Sequence, residues 1–185
     1  SLEETAKEVI ERSEDHLRRL EETNRKVVED SERHLDDLTR RIKKVVEDIK
    51  KRLDEIEKRG EVDERVLRTL AKKVEDLLRR VEEVVRRVKE RTRDHLRDSE
   101  RVLRELLELS KRILERVRRK SSDERAEELL RTVVKEIEDA NRRVEEVSRK
   151  NTEDIKEWNK RLEEELRRVV ERARRELKKV EDAAR

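Results

Sequence analysis

The chain contains no cysteine, proline, methionine, phenylalanine or tyrosine, and only one glycine and one tryptophan among its 185 residues. Without cysteine there are neither disulfides nor thiolate metal ligands, and the redox compartment stays open. Without proline, nothing of the usual kind interrupts a helix before Gly60. No apolar run approaches the ~18 residues that a membrane span needs, and no signal-peptide pattern is present. No membrane partner is therefore expected, and no compartment is indicated.

What is abundant is charge. Charged residues make up 57% of the chain, yet the formal net charge is only +3, from 54 bases and 51 acids. Such a composition raises the question of disorder, but here the apolar residues are strictly periodic. Glu, Lys, Arg and Leu at helical spacing point to long helices or a coiled coil. The signs of charge interleave along the chain, so no basic face for nucleic acid is expected, despite a pI near 9.1.

An internal repeat organises the rest. From Ser13 the sequence reads SEDHLRRLEETNRKVVED, and from Ser31 it reads SERHLDDLTRRIKKVVED. Ser13 matches Ser31, His16 matches His34, Leu17 matches Leu35, and Leu20 matches Leu38. Eighteen residues are five turns of a 3.6-residue helix, so matched residues share a face without drift. A strict seven-residue repeat would impose a left-handed supercoil; this one asks for nearly straight helices. The same spacing links Leu67, Val85 and Leu103, and then Ala126, Val144, Leu162 and Val180.

Breaks are few. Ser1 and Glu4 form a capping box, and Gly60 after Lys58-Arg59 reads as a left-handed C-cap. Asp63 caps a second helix, with Val62 and Leu67 at the spacing of a hydrophobic staple. Ser121 and Glu124 form a further capping box. The expected fold is all-α: one domain over 1–185, an antiparallel three-helix bundle with helices at about 2–59, 63–120 and 122–184, joined by two short loops. Each helix would run roughly 57 to 62 residues, or ~85–95 Å. Glu14-Arg18, Glu22-Lys26, Glu29-Arg33, Asp36-Arg40 and Glu47-Lys51 stand at i,i+4. At ~0.3 kcal/mol each they aid helicity, but the apolar stripes must hold the helices together.

The exceptions within those stripes are the candidate functional residues. At 100° per residue, Ser13, Asn24 and Ser31 fall inside the first stripe. Thr92, Ser99 and Ser110 lie near the centre of the second, and Asn141, Ser148, Asn151, Trp158 and Asn159 lie inside the third. His16 and His34 sit at a stripe's flank, and His95 sits within one. An unpartnered buried polar group costs on the order of 1–3 kcal/mol, so these side chains should meet. If the chain turns near residues 60 and 121, facing residues in helices 1 and 2 sum to roughly 121, and in helices 2 and 3 to roughly 242. That places Ser13 with Ser110 and Thr132, Asn24 with His95 and Ser148 (Ser99 nearby), and Ser31 with Thr92 and Asn151. His34 falls near Trp158, and His16 near Asn141. Buried hydrogen-bond networks that fix register and partner are the expected outcome.

Each histidine follows a hydroxyl by three residues: Ser13-His16, Ser31-His34 and Thr92-His95. They read as neutral core groups satisfied by their neighbours, or as a pH switch in which protonation buries a charge, with stability lost as pH falls. Metal binding is a remote alternative, because di-metal bundles place Glu three residues before His, and here that position holds Ser or Thr. Ser31 with His34 lacks a Gly-rich loop, a pocket or an oxyanion donor. No catalytic site, cofactor or small-molecule substrate is expected, and Trp158 reads as core filler whose indole N–H joins a network.

Taken together, the 18-residue repeat, the near-equal helices, the capping boxes and surfaces of Glu, Lys, Arg and Asp resemble de novo designed, parametrically generated helical bundles with buried hydrogen-bond networks. The resemblance covers the whole chain. It implies a structural scaffold or assembly module, whose relatives serve as oligomers, heterodimer halves or, with buried histidines, pH-responsive assemblies. Stripe width bears on which. Helix 1 keeps its apolar residues within roughly 100°, helix 3 within ~140° and helix 2 within ~160°. The excess on helices 2 and 3 points to a further partner, either a copy of the chain or another helical chain.

Overall fold

The computed structural model describes residues 1–119 and 124–184. The chain is an all-α three-helix bundle: α1 spans Leu2–Arg59, α2 Glu64–Arg119 and α3 Glu124–Ala183. No strand occurs among the described residues.

Local chemistry sets the helix ends. Glu4 N–H donates to Ser1 Oγ at 3.3 Å, and the Glu4 carboxylate returns to Ser1 N at 3.5 Å. This is the reciprocal arrangement that satisfies donors in a first turn. At the other end, Lys58 and Arg59 occupy the last turn of α1, and Gly60 follows at φ 68°. Its N–H reaches Glu57 O at 3.1 Å, closing the helix in the left-handed cap that glycine adopts most readily. Asp63 Oδ1 then accepts from Arg65 N–H at 3.0 Å, opening α2. Val62 and Leu67 pack on the same apolar cluster, as a staple requires. Ser121, on which the last expected capping box rests, and Lys120 at the expected end of α2 lie outside the described residues.

The chain forms two compact units, each with a segment of all three helices. The first comprises Ser1–Glu29 and Thr92–Asp154, the second Asp30–Arg91 and Ile155–Arg185. In the first, Ala6, Ile10, Leu103, Leu107, Ile137 and Val144 form the core. In the second, Leu35, Ile49, Leu67, Val74, Leu162 and Leu177 do so. Burying one such Leu or Ile is worth ~1.5–3 kcal/mol, several times an i,i+4 ion pair, so the apolar stripes decide the packing. Burial follows the 18-residue period: Ser13, Ser31 and Ile49 are buried, as are Leu67, Val85 and Leu103, and Ile137, Ile155 and Ala173.

Ion pairs show the helix directions. In the first unit Glu14 pairs with Lys111 and Glu21 with Arg104, both at 2.7 Å. In the second, Asp36 pairs with Lys89 and Lys50 with Glu75. Rising numbers in α1 meet falling numbers in α2, so these helices are antiparallel. Glu14 and Asp36 thus reach α2 rather than Arg18 and Arg40 of their own helix. They stand at the edge of the stripe, where a basic side chain of α2 is within reach.

Candidate functional site

The polar side chains that face inward join helices pairwise. In the first unit Ser13, fully buried, donates its hydroxyl to Asn141 Oδ1 at 2.8 Å. In the second, Asn159 Nδ2 donates to Ser31 Oγ at 2.9 Å. Both pairs span 128 positions, so the 18-residue repeat reproduces the contact in each unit. The amides present opposite ends: Asn141 its oxygen, Asn159 its nitrogen, which leaves the enclosed Asn159 Oδ1 without a hydrogen bond.

A histidine and a glutamate accompany each pair. His16 Nδ1 lies 3.9 Å from Glu145 Oε1, and His34 Nε2 lies 3.4 Å from Glu163 Oε2. These partners also repeat at eighteen. His95 Nε2 faces Asp154 Oδ2 across α2 and α3 at 4.0 Å. The expectation of buried histidines is corrected here. The side chains of His16, His34 and His95 are 25%, 47% and 37% exposed, because a group at a stripe's flank keeps one edge in water. The acids were legible in principle, since Asn-x-x-x-Glu occurs at 141–145 and again at 159–163, in step with Ser-x-x-His.

A third contact joins α1 to α2. Asn24 Nδ2 donates to Glu100 Oε1 at 3.0 Å and to Leu96 O at 3.4 Å. Ser99 Oγ donates to the same Leu96 carbonyl at 2.8 Å. Asn24 and Ser99 therefore meet through a backbone oxygen, and His95 points instead to Asp154.

Several expected groupings do not form. Ser110 is buried but turns its hydroxyl to Leu106 O at 2.8 Å. Thr132 is exposed and donates to Glu128 O at 2.9 Å. Local bonds of this kind compete with contacts between helices. Ser13 thus meets Asn141, nine positions beyond Thr132, and Ser31 meets Asn159 rather than Thr92 and Asn151. Thr92 and Asn151 are buried, at 2% and 4% exposure, and Thr92 Oγ1 has no hydrogen-bond partner. Ser148 is half-buried. Trp158 lies half-buried under Arg91, whose guanidinium carbon is 4.2 Å from the ring centroid, a cation–π contact.

The Ser13 hydroxyl is committed to Asn141, not to His16, so no imidazole is placed to take its proton. Among the described residues no three His, Asp or Glu side chains converge as metal ligands would, and no helix is long and apolar enough to cross a membrane.

The α2/α3 face is different in kind. All the large apolar residues left exposed among the described residues are on α2 and α3: Val66, Val84, Val102 and Leu109, and Leu129 and Val147. Val66, Val84 and Val102 follow the 18-residue period, as do Leu129 and Val147. Seven residues are about 20° short of two turns. Val84 therefore shares a flank with Arg91, which covers Trp158 of α3. In the first unit Val102 shares one with His95, and Val147 with Asp154. These residues border the grooves where α2 meets α3. The second-unit groove is lined by Val66, Thr69, Leu70 and Val180 together with Arg65, Lys73, Lys179 and one acid, Glu176.

Charge is also distributed unevenly around these helices, although it alternates along them. In the second unit Lys73, Arg80 and Arg87 recur at seven on the α3-facing flank of α2, all exposed. Glu75 turns away from this flank towards Lys50, whereas Glu83 stays on it and pairs with Arg87 at 2.7 Å.

No family model, curated protein or solved structure matches this chain.

Proposed function

We propose that this chain is a structural assembly module of the designed-bundle kind. Its buried polar pairs set the register of one helix on another, and its α2/α3 face receives a further helical chain, either a copy of itself or another. The observation that carries this reading is the set of exposed valines and leucines at 18-residue spacing, confined to the α2/α3 side. A partner helix packs on such rows, because apolar residues recurring on one flank with charged residues beside them offer it a seam. The polar pairs support the register role. Sliding α3 along α1 by one turn would strip Ser13 and Ser31 of their partners while costing the apolar stripes little.

Size-exclusion chromatography with light scattering tests the proposal. The expected mass exceeds the 22.6 kDa of one chain, and Leu109→Asp with Val147→Asp brings it back to that value. A wild-type particle of one chain at every concentration overturns the self-associating form.

A further inference from the structure

The second-unit groove carries a charge signature that narrows its occupant, given the assembly reading above. On the α2 side, Lys73, Arg80 and Arg87 form the outer row; on the α3 side, Arg161, Arg168 and Arg172 do so. All six are exposed. Their flank is set by the Arg91–Trp158 contact at 4.2 Å: Lys73 is one 18-residue period before Arg91, and Arg161 follows Trp158 by three residues. Three acids of these helices turn to the α1 side, where Glu75 meets Lys50, Glu163 meets His34 and Glu181 meets Arg52. Arg87 and Arg161 each hold one acid of their own helix, Glu83 and Glu157. Lys73, Arg80, Arg168 and Arg172 are engaged in no ion pair among the described residues. Glu176 is the one acid lining the groove, beside Arg65, Lys73 and Lys179, so bases outnumber acids along it.

Between the rows lies an apolar strip. Val66 and Val84 are 46% and 38% exposed, and Leu77, partly buried, falls between them at spacings of eleven and seven. That is the seam an amphipathic helix presents to its partner. A polyanion such as duplex DNA would use the charges and leave the valines in water. A helix with apolar residues on one face and acids on both borders would use everything present.

We infer that the second-unit α2/α3 groove is a docking site for an acidic amphipathic helix of another chain, with its apolar seam on Val66, Leu77 and Val84 and its carboxylates between the two basic rows. Like charges facing each other across the empty groove repel, and an acidic helix relieves that repulsion as it binds.

The protein supplies its own reporter, because Trp158 is the sole tryptophan and lies under Arg91 at this groove. Two tryptophan-free synthetic helices of about 25 residues, roughly seven turns, would share one leucine seam. One carries Glu on both borders, the other Lys. Each is titrated against Trp158 emission, in the wild type and in the Leu109→Asp, Val147→Asp chain, whose changes lie in the other unit. The Glu helix should bind in both backgrounds, and the Lys helix at least about tenfold more weakly. Arg80→Glu with Arg168→Glu should reverse that preference. Raising ionic strength from ~0.1 M to ~1 M should weaken the Glu helix, as the screening length falls from ~10 Å to ~3 Å. Equal binding of the two helices, or no binding of the Glu helix, overturns the inference, as does full displacement of that helix by duplex DNA with Val84→Asp having no effect. If the Glu helix fails while light scattering still shows assembly through Leu109 and Val147, the inference falls and the assembly reading stands.

Discussion

Ser31 accepts a hydrogen bond from Asn159 at 2.9 Å, eighteen positions further along both helices than the 2.8 Å bond from Ser13 to Asn141. A helical repeat has become a repeat of contacts between helices. Because Ser13 is fully enclosed, replacing only one partner strands a polar group in the core. Asn141→Leu should destabilise by about 1–3 kcal/mol, and Ser13→Ala by about 1 kcal/mol. The double variant should cost less than the sum of the two, since neither partner is then left waiting. Urea unfolding of all four chains measures the coupling, and strict additivity would show that the bond contributes nothing.

Gly60 offers a cleaner test of backbone strain. Its φ is +68°, and an added Cβ would meet nothing within 4 Å. Gly60→Ala therefore suffers no clash, only the left-handed penalty of ~1–2 kcal/mol. Gly60→Asn should lose less, since asparagine tolerates this region. Chemical denaturation of both variants should rank them glycine, asparagine, alanine. Equal stabilities would mean that the α1–α2 turn readjusts at no cost.

Acid response follows from exposure. The side chains of His16, His34 and His95 are 25%, 47% and 37% exposed, and each has a carboxylate within 4.0 Å. Circular dichroism should show the same cooperative unfolding at pH 7 and at pH 5. Loss begins lower, with the carboxylates. Glu75 is held below the usual carboxylate range, chiefly by its hydrogen bond to Lys50 and then by that ammonium's charge. A depressed folded value contributes stability above the unfolded value, and this is lost as pH falls through the folded one. Destabilisation should therefore set in below about pH 4, and Glu75→Gln should remove a small part of that dependence. A cooperative loss of helicity near pH 6 would restore the histidine switch.

The helices and the pairing of α1 with α2 were legible because their determinants are local. Ser1 and Glu4, Gly60 and Asp63 are caps whose chemistry lies within a few residues, and the stripes fix which face turns inward. The turn at Gly60 also set the α1/α2 level to within about one turn: Asn24 meets both Leu96 O and Glu100. The α3 register was not legible. Ser13 was placed level with Thr132 and bonds Asn141, nine residues on. Counting from a connection assumes that both helices start level there. Apolar faces tolerate a slide of a turn or more, so polar matching selects the register, and that depends on which side chains can reach each other. Side chains lean towards the start of their own helix, which further displaces contacts from equal heights. The carboxylates beside His16 and His34 are signalled not at the histidines but on α3, in the Asn-x-x-x-Glu that keeps step with Ser-x-x-His, and only the α3 register brings the two motifs together.

At Thr92 the polar pattern has no return. Its hydroxyl is enclosed, with the residue 2% exposed, and it meets no partner. The equivalent position one period earlier is Val74, also 2% exposed, and one period later is Ser110, which at least reaches Leu106 O. Valine has nearly the shape of threonine, and Val74 shows that the site accepts it. Thr92→Val should therefore stabilise the chain by up to about 1 kcal/mol, by removing a desolvated hydroxyl without opening a cavity. The unfolding midpoint should rise with an unchanged denaturant slope. A loss of stability of similar size would mean that the hydroxyl is hydrogen-bonded in solution, and Thr92 would then join Asn24 and Ser99 among the groups that hold α2 in register.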